Sequence, residues 1–242
     1  MANNSNGVGG VNEALFPPPL KVANAWKELF VTGLPGSTSD VTLLEHIQIS
    51  LIRFFTGYII AAISATFLGL VLGSCPKIFA FINPIVQLIR PIAPVAFMPF
   101  IVFWFGIGDL PAIVIIFIAG FFPILLSTVS AVGNVDSVYY KVAKTFGVGK
   151  IKTTFCIVFP AIFTQIMNSL RLALGTSWIF MVSGEMVGAQ SGLGFLVMDT
   201  KNCLRFDSLI AVIITIGLIG FLLDSLVRLL ERIISKKLGY IG

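Results

Sequence analysis

Very few side chains of this sequence could carry out covalent or metal chemistry. His46 is the only histidine, and the three cysteines, Cys75, Cys156 and Cys203, are far apart with no C-x-x-C pair. Metal centres and nucleophilic sites need such residues in close sets. The sequence also has no G-x-x-x-x-G-K-[ST] segment to hold the phosphates of a nucleotide, and no Ser–His or Asp–Asp pair in facing apolar segments. We therefore expect no catalysis by this chain, and we expect His46 to be an interfacial polar residue.

Charged residues inside apolar segments are the remaining candidates, because a charge within a membrane is costly and usually functional. Arg90, next to a proline, could face a translocation pathway or extend from a helix end toward the lipid headgroups. Arg171 could line a pathway or anchor the basic end of a membrane span. Glu185 could be a gate element or the buried partner of a basic residue, and pairing is the favoured interpretation. Asp224 and Arg228, four residues apart, are expected to form a local ion pair.

The composition indicates that lipid is the solvent for much of this chain. Of its 242 residues, 57% are hydrophobic and only 11% are charged, and the mean hydropathy is +0.99. A soluble domain carries about twice that charged fraction. The net charge of +5 comes from clustered basic residues, which in a membrane protein indicate orientation rather than nucleic-acid binding. We therefore predict an all-α integral membrane protein.

Five apolar stretches are long enough to cross, or nearly cross, the roughly 30 Å hydrocarbon layer. They are predicted at about 51–72, 78–105, 110–132, 168–187 and 209–229. The second stretch is interrupted at Arg90-Pro91 and by two further prolines, so its helix must break there. Ahead of the spans, a short helical pattern contains Val22, Trp26 and Leu29.

The basic residues indicate one orientation for these spans. Nine of the sixteen lysines and arginines follow spans one, three and five, and they share one side if the spans alternate. The positive-inside rule makes that side cytoplasmic, with a loop at about 134–160 and a tail at 236–242. The polar segment 1–46 is then extracytoplasmic, ahead of a transmembrane domain at 47–235. Because five spans with a cytoplasmic C-terminus leave the N-terminus outside, we expect that an upstream span is missing from this sequence.

The cytoplasmic loop includes a basic, glycine-punctuated segment at 141–160. Asp136 or Ser137 can cap the start of a helix, and Gly147 can end it. The apolar residues of this helix recur at i, i+4 and i+8 and form a stripe: Val138, Val142 and Phe146. Such a helix can lie on anionic headgroups, or it can place its apolar face in a groove of a cytoplasmic partner. The stripe alone leaves both interpretations open.

The spacing within this segment resembles the EAA loop of ABC importer permeases, E-A-A-x3-G-x9-I-x-L-P. Lys141 stands where that family has Glu, and Phe159 stands where it has Leu. The resemblance implies a coupling helix at about Ser137–Phe146. It also implies that the following residues couple this chain to an ATPase: Lys141, Val142, Ala143, Gly147, Ile157 and Pro160.

Further segments are similar to the nitrate/sulfonate/taurine/bicarbonate branch of these permeases. They are Phe16 to Trp26, Arg90 to Pro94, Trp104 to Gly108, Leu170 to Trp178, and Glu185 to Gly194. The resemblance covers about residues 16–235.

This resemblance implies the MetI-like type I transmembrane fold, which normally has six spans, the first of them absent here. It implies a permease subunit of a bacterial inner-membrane importer, paired with a second permease subunit in a homodimer. An extracytoplasmic binding protein would deliver a small anion such as nitrate, an alkanesulfonate, taurine or bicarbonate. Cytoplasmic ABC ATPase subunits would bind ATP and Mg, so this chain itself needs no cofactor. The alternatives are a truncated relic that does not transport and an importer of a vitamin precursor.

Overall fold

The computed structural model describes residues 17–34, 36 and 41–237, and within these it contains helices and no β-strand. Residues 1–16 of the predicted N-terminal segment and residues 238–242 of the predicted tail lie outside the described residues. The prediction of an all-α protein is confirmed.

Eleven α-helices follow one another in the described part of the chain. Their bounds are α1 Pro19–Val31, α2 Leu43–Ser74, α3 Pro76–Ile89, α4 Met98–Phe105, α5 Asp109–Gly133, α6 Ser137–Thr145, α7 Lys150–Thr153, α8 Phe159–Ala161, α9 Phe163–Gly188, α10 Leu193–Asn202 and α11 Phe206–Lys237. A 3₁₀ turn, Pro94–Phe97, precedes α4, and a π-helical stretch, Thr154–Val158, lies between α7 and α8.

Three helices in the described residues are each long and apolar enough to cross a membrane: α2, α5 and α11. Two bent pairs also qualify by length and composition. The first pair joins α3 to Pro94–Phe105 with a bend of 84°, and the second joins Ile151–Ala161 to α9 with a bend of 70°. If each bent pair is one span, the described residues contain five spans, which is the predicted number.

The first span begins earlier than the hydropathy of the sequence predicts. Helix α2 starts at Leu43, eight residues before the predicted boundary at 51. The backbone N–H of Thr42 donates a hydrogen bond to the Glu45 carboxylate at 2.9 Å, which satisfies a group that a helix start otherwise leaves free. This polar first turn does not register as part of an apolar stretch.

Helix α2 packs closely along α5. A Cβ added at Gly69 would lie 2.6 Å from the Cβ of Thr128, and one added at Gly73 would lie 2.6 Å from the Cβ of Val132. Since real side chains do not approach so closely, glycine at both positions lets the two helices come into direct contact.

The short helix predicted near Trp26 is confirmed as α1, and it packs on the start of α11. The indole N–H of Trp26 donates to the hydroxyl of Thr215 at 2.9 Å. The guanidinium of Arg205, just before α11, forms an ion pair with Glu28 at 2.8 Å. These contacts hold the N-terminal helix against the last span.

Candidate functional site

The loop between α5 and α9 carries helix α6 where the sequence predicts it. The side chain of Asp136 accepts a hydrogen bond from the backbone N–H of Val138 at 2.9 Å and so caps the helix start. Gly147 follows the last turn with φ of +68°, a left-handed conformation that glycine adopts at little cost. Both predicted ends of this helix are confirmed.

One face of α6 presents apolar side chains at the surface. The exposed fraction is 54% for Val138, 47% for Val142 and 78% for Phe146. Ala143 is only 2% exposed, because it lies about 100° around the helix from Val142, on the side that faces its own chain. The structure therefore gives Ala143 a packing position rather than the surface position expected from the sequence.

The stretch that follows α7 anchors this loop to the spans. Val158 is fully buried and packs in a cluster with Leu70 of α2 and Val132 of α5. The hydroxyl groups of Ser74, at the end of α2, and Thr154 are 2.9 Å apart. The loop is therefore in direct contact with both α2 and α5.

The other predicted coupling residues lie along the same segment. Lys141 is exposed, and within the described residues its ammonium group has no ion-pair partner. Ile157 and Pro160 are half-buried. The helix axis turns by 70° between Ala161 and Phe163, directly after Pro160.

A group of polar side chains lies at the opposite end of α2 from the α6 loop. We call it the polar cluster, and its members are His46, Ser50, Arg53, Asp109, Glu185 and the loop Ser191–Gly194. The three α2 residues share one helical face, because they are spaced at i, i+4 and i+7. The cluster joins the ends of α2, α5, α9 and α10.

Arg53 is the centre of the polar cluster, with a side chain only 3% exposed. Its guanidinium donates to Glu185 at 2.9 Å and to Asp109 at 2.8 Å. It also donates to the carbonyl oxygen of Ser191 at 2.6 Å and to the Ser191 hydroxyl at 2.8 Å. A buried guanidinium with two carboxylates and two further acceptors is well satisfied.

Glu185 is fully buried, and its carboxylate has several donors besides Arg53. The hydroxyl of Ser50 lies 2.9 Å from both carboxylate oxygens, and the backbone N–H of Gly194 donates to one of them at 2.9 Å. The interpretation of Glu185 as the buried partner of a basic residue is confirmed.

The loop before α10 is held to α2 through its backbone. The N–H of Gly192 donates to Nδ1 of His46 at 2.9 Å, and the N–H of Leu193 donates to the Ser50 hydroxyl at 2.8 Å. His46 lies in the first turn of α2, and its side chain is only 1% exposed, so it packs inside the protein. The early start of α2 places His46 inside a helix that α10 and its loop cover.

Arg171 joins two helices through an ion pair. Its guanidinium donates to both carboxylate oxygens of Asp224, at 2.8 and 3.1 Å, and so ties α9 to α11. Arg228 donates to the same carboxylate at 2.9 Å, which confirms the predicted local pair. This arrangement favours a helix-joining position for Arg171 over one that faces a pathway.

Arg90 lies at the elbow between α3 and the 3₁₀ turn before α4. The elbow, together with α5 and α9, lines an open cavity of about 250 Å³, in which the side chains of Arg90 and Thr176 are exposed. Its wall includes Arg90 and Pro91 from the elbow, Ala119 and Phe122 from α5, and Thr176 from α9. Among the described residues, the guanidinium of Arg90 has no hydrogen-bond or ion-pair partner.

Arg53 is not among the residues that the sequence singles out. The sequence does contain a signal for this residue, because an arginine within an apolar stretch is as unusual at position 53 as at position 90. Arg53 lies only two residues inside the predicted span, where it resembles a boundary residue. Its partners are distant in sequence, and Glu185 lies 132 positions further along the chain.

The sequence is similar to known transport proteins over most of its length. Residues 65–236 match the family described as "Binding-protein-dependent transport system inner membrane component". The chain is 32% identical over 222 residues to the taurine transport system permease protein TauC of Escherichia coli (strain K12), covering 92% of this chain and 80% of that protein. It is 32% identical over 218 residues to the nitrate import permease protein NrtB of Leptolyngbya laminosa, covering 90% and 78% respectively.

The fold is similar to that of a chain in a solved structure. That structure shows inward-facing conformations of the MetNI methionine ABC transporter, and the TM-score is 0.59 at 19% identity. The match covers 78% of this chain and 96% of the other. It confirms the predicted MetI-like fold.

Proposed function

The chain belongs to the family of inner membrane components of binding-protein-dependent transport systems, and from this premise we propose that it is the permease subunit of an ATP-driven importer for a small anion. Candidate substrates are taurine, other sulfonates, nitrate and bicarbonate. The names of the similar proteins TauC and NrtB support this choice, because they refer to taurine and nitrate.

ATP hydrolysis belongs to a partner in this proposal. The sequence has no phosphate-binding loop, so the chain needs an ATPase that binds to it from the cytoplasm. Two copies of the permease form the pathway in a homodimer, and a binding protein outside the membrane delivers the anion. The residues proposed to couple the two subunits are Lys141, Val142, Gly147, Ile157 and Pro160, with Ala143 supporting them from inside.

The observation that carries the proposal is the exposed apolar stripe of α6. Lipid headgroups or a groove of a partner protein can bury Val142 and Phe146, and membership of a transport family favours the groove. The segment Thr154–Val158 contacts α2 and α5, so a partner that binds α6 can move these spans.

The direct test is reconstitution of the chain in proteoliposomes with its ATPase and binding protein. We expect at least one of taurine, an alkanesulfonate, nitrate and bicarbonate to stimulate ATP hydrolysis and to accumulate in the lumen. Absence of both effects for every one of these anions would contradict the proposed function.

Replacing Val142 by aspartate tests the docking of α6. We expect loss of about 2 kcal/mol of binding free energy, or a roughly 30-fold weaker association with the ATPase, because a charge replaces an apolar contact in the groove. Uptake should fall in proportion, while the amount of folded permease stays the same. Co-purification of the ATPase and uptake by proteoliposomes measure the two effects.

Val142→Ile is the matched control, because it keeps an apolar, β-branched side chain at the same position. It should retain both ATPase binding and uptake. If Val142→Asp binds the ATPase as tightly as Val142→Ile does, the stripe is not the docking surface.

The orientation of the chain can be tested with its own cysteines. Cys75 follows α2 at the end near the α6 loop, and Cys203 follows α10 at the end near the polar cluster. In single-cysteine variants, we expect a membrane-impermeant maleimide to label Cys203 in spheroplasts and Cys75 in inverted membrane vesicles. The reverse pattern would contradict a cytoplasmic α6 loop.

A further inference from the structure

We infer that the elbow cavity is a binding site for a small oxyanion midway across the membrane, with the guanidinium of Arg90 as the countercharge. This inference rests on the proposed function and assigns the transported anion to a specific place in the chain. The site is built from the elbow after α3 and from the facing surfaces of α5 and α9.

Arg90 differs from four of the five other arginines, and the fifth, Arg232, is exposed near the end of α11 and likewise has no ion pair among the described residues. Arg53, Arg171, Arg205 and Arg228 each form an ion pair with a carboxylate. Within the part of the chain that the structure describes, Arg90 has none. A cation in a membrane segment without a partner is costly, so the site is suited to an anion that arrives from outside the chain.

The cavity lies near the middle of α5 and α9. Ala119 lies ten residues into α5, about 15 Å from its start at about 1.5 Å per residue. Thr176 lies twelve residues before the end of α9, about 18 Å from it. Both distances are close to half of the roughly 30 Å hydrocarbon layer. A site at this position along the two helices is suited to a substrate that crosses the membrane.

The helix that carries Arg90 is broken directly after it. Pro91 and Pro94 lack backbone N–H groups, and the chain bends by 84° between α3 and the segment Pro94–Phe105. Irregular backbone at membrane depth is tolerated where it lines a cavity, and interrupted helices are a common element of transport sites. The elbow thus opens space beside a charged residue.

The residues that line the cavity favour an anion over a cation. Apart from Arg90 and Thr176, the wall is apolar, with aromatic rings from Phe97, Phe122 and Phe180, and none of its described residues is acidic. An apolar surrounding strengthens the attraction between a guanidinium and an anion, and it gives a cation no ligand. The planar guanidinium can donate two parallel hydrogen bonds to two oxygens of a nitrate, carboxylate, carbonate or sulfonate group.

The volume of the cavity is suited to a small ligand. A cavity of about 250 Å³ has the space of about eight water molecules at roughly 30 Å³ each. It can therefore take a small oxyanion with a few waters.

The test compares two variants with the wild type in the complete transporter, reconstituted with its ATPase and binding protein. Arg90→Gln removes the charge, and Thr176→Glu places a carboxylate in the cavity to compete with the anion for Arg90. We expect uptake of labelled taurine, nitrate or bicarbonate to fall at least tenfold in both, while the loaded binding protein still stimulates ATP hydrolysis. Arg90→Lys should restore part of the uptake, and Arg232→Gln, which removes a positive charge from the far end of α11, should not change it.

The outcomes separate the site from the proposed function. If the wild type neither hydrolyses ATP in response to these anions nor imports them, the proposed function fails. If the wild type imports an anion and folded Arg90→Gln and Thr176→Glu import it at the same rate, the inference about the elbow fails alone. Size-exclusion profiles establish folding, and if Arg90→Gln does not fold, uptake by Thr176→Glu decides the question.

Discussion

Replacing Arg53 by glutamine is expected to lower the free energy of unfolding by about 3–5 kcal/mol. The substitution removes the charged partner of Glu185, whose side chain is fully buried, and among the described residues it leaves the carboxylate with Ser50 and a backbone N–H as donors. It also releases the loop at Ser191, which Arg53 holds through two hydrogen bonds. Thermal and SDS-induced unfolding of the purified protein in detergent measure the change.

Arg228→Gln is the control for this prediction, because it makes the same substitution in an ion pair whose arginine is 47% exposed. We expect a change within about 1 kcal/mol there, since exposed pairs contribute little. The double variant Arg53→Gln/Glu185→Gln should lose less stability than the sum of the two single variants, because it leaves no charge unpaired between them. A loss for Arg53→Gln no larger than that for Arg228→Gln would show that the polar cluster does not stabilise the fold.

Replacing Gly194 by alanine is expected to be at least as damaging as the usual range for overpacking, about 1–3 kcal/mol. The added Cβ would lie 2.7 Å from the Cβ of Glu185 and closer still to the carbonyl oxygen of Val182. Because a backbone carbonyl within α9 cannot rotate away, α10 must shift, and the hydrogen bond from Gly194 to Glu185 is lost with it. The yield of folded protein and its unfolding temperature report the effect.

Gly217→Ala provides a matched comparison within the same chain. Gly217 lies inside α11, and an added Cβ there has no neighbour within 4 Å. Since alanine is a better helix former than glycine by about 0.5–1 kcal/mol, this variant should be neutral or slightly stabilised. Equal stability of the two variants would contradict the close approach of α10 to α9.

Local signals in the sequence predict the spans and the ends of α6 well. The apolar stretches exceed the thickness of a membrane, and the cap at Asp136 and the glycine at Gly147 act on neighbouring residues only. The break near Arg90 follows from its prolines, but its angle of 84° does not, because the angle depends on packing against α5 and α9.

The polar cluster is a different case, because its members are distant in sequence. The hydrogen bond from Gly192 to His46 spans 146 residues, and no short-range pattern relates the two. Helix α10 is short and contains charged residues, so it carries no membrane-like signal. The sequence does indicate that Glu185 needs a basic partner, and only the tertiary structure identifies that partner as Arg53.

Helix α2 extends from the polar cluster at one end of the molecule to the α6 loop at the other. The helix has 32 residues, about 48 Å at about 1.5 Å per residue. Its first turns carry His46, Ser50 and Arg53, and its last residue, Ser74, contacts the segment behind α6. Gly69 and Gly73 let α2 pack directly against α5, at points where an added Cβ would overlap with Thr128 or Val132.

Helix α2, packed on α5, is therefore a rigid connection between the two ends of the molecule. A displacement applied at one end of α2 reaches the other end through a helix that contains no proline and no intervening loop. The bends at 90–93 and at 161–163 interrupt other spans, so we expect a change of conformation to occur there rather than within α2.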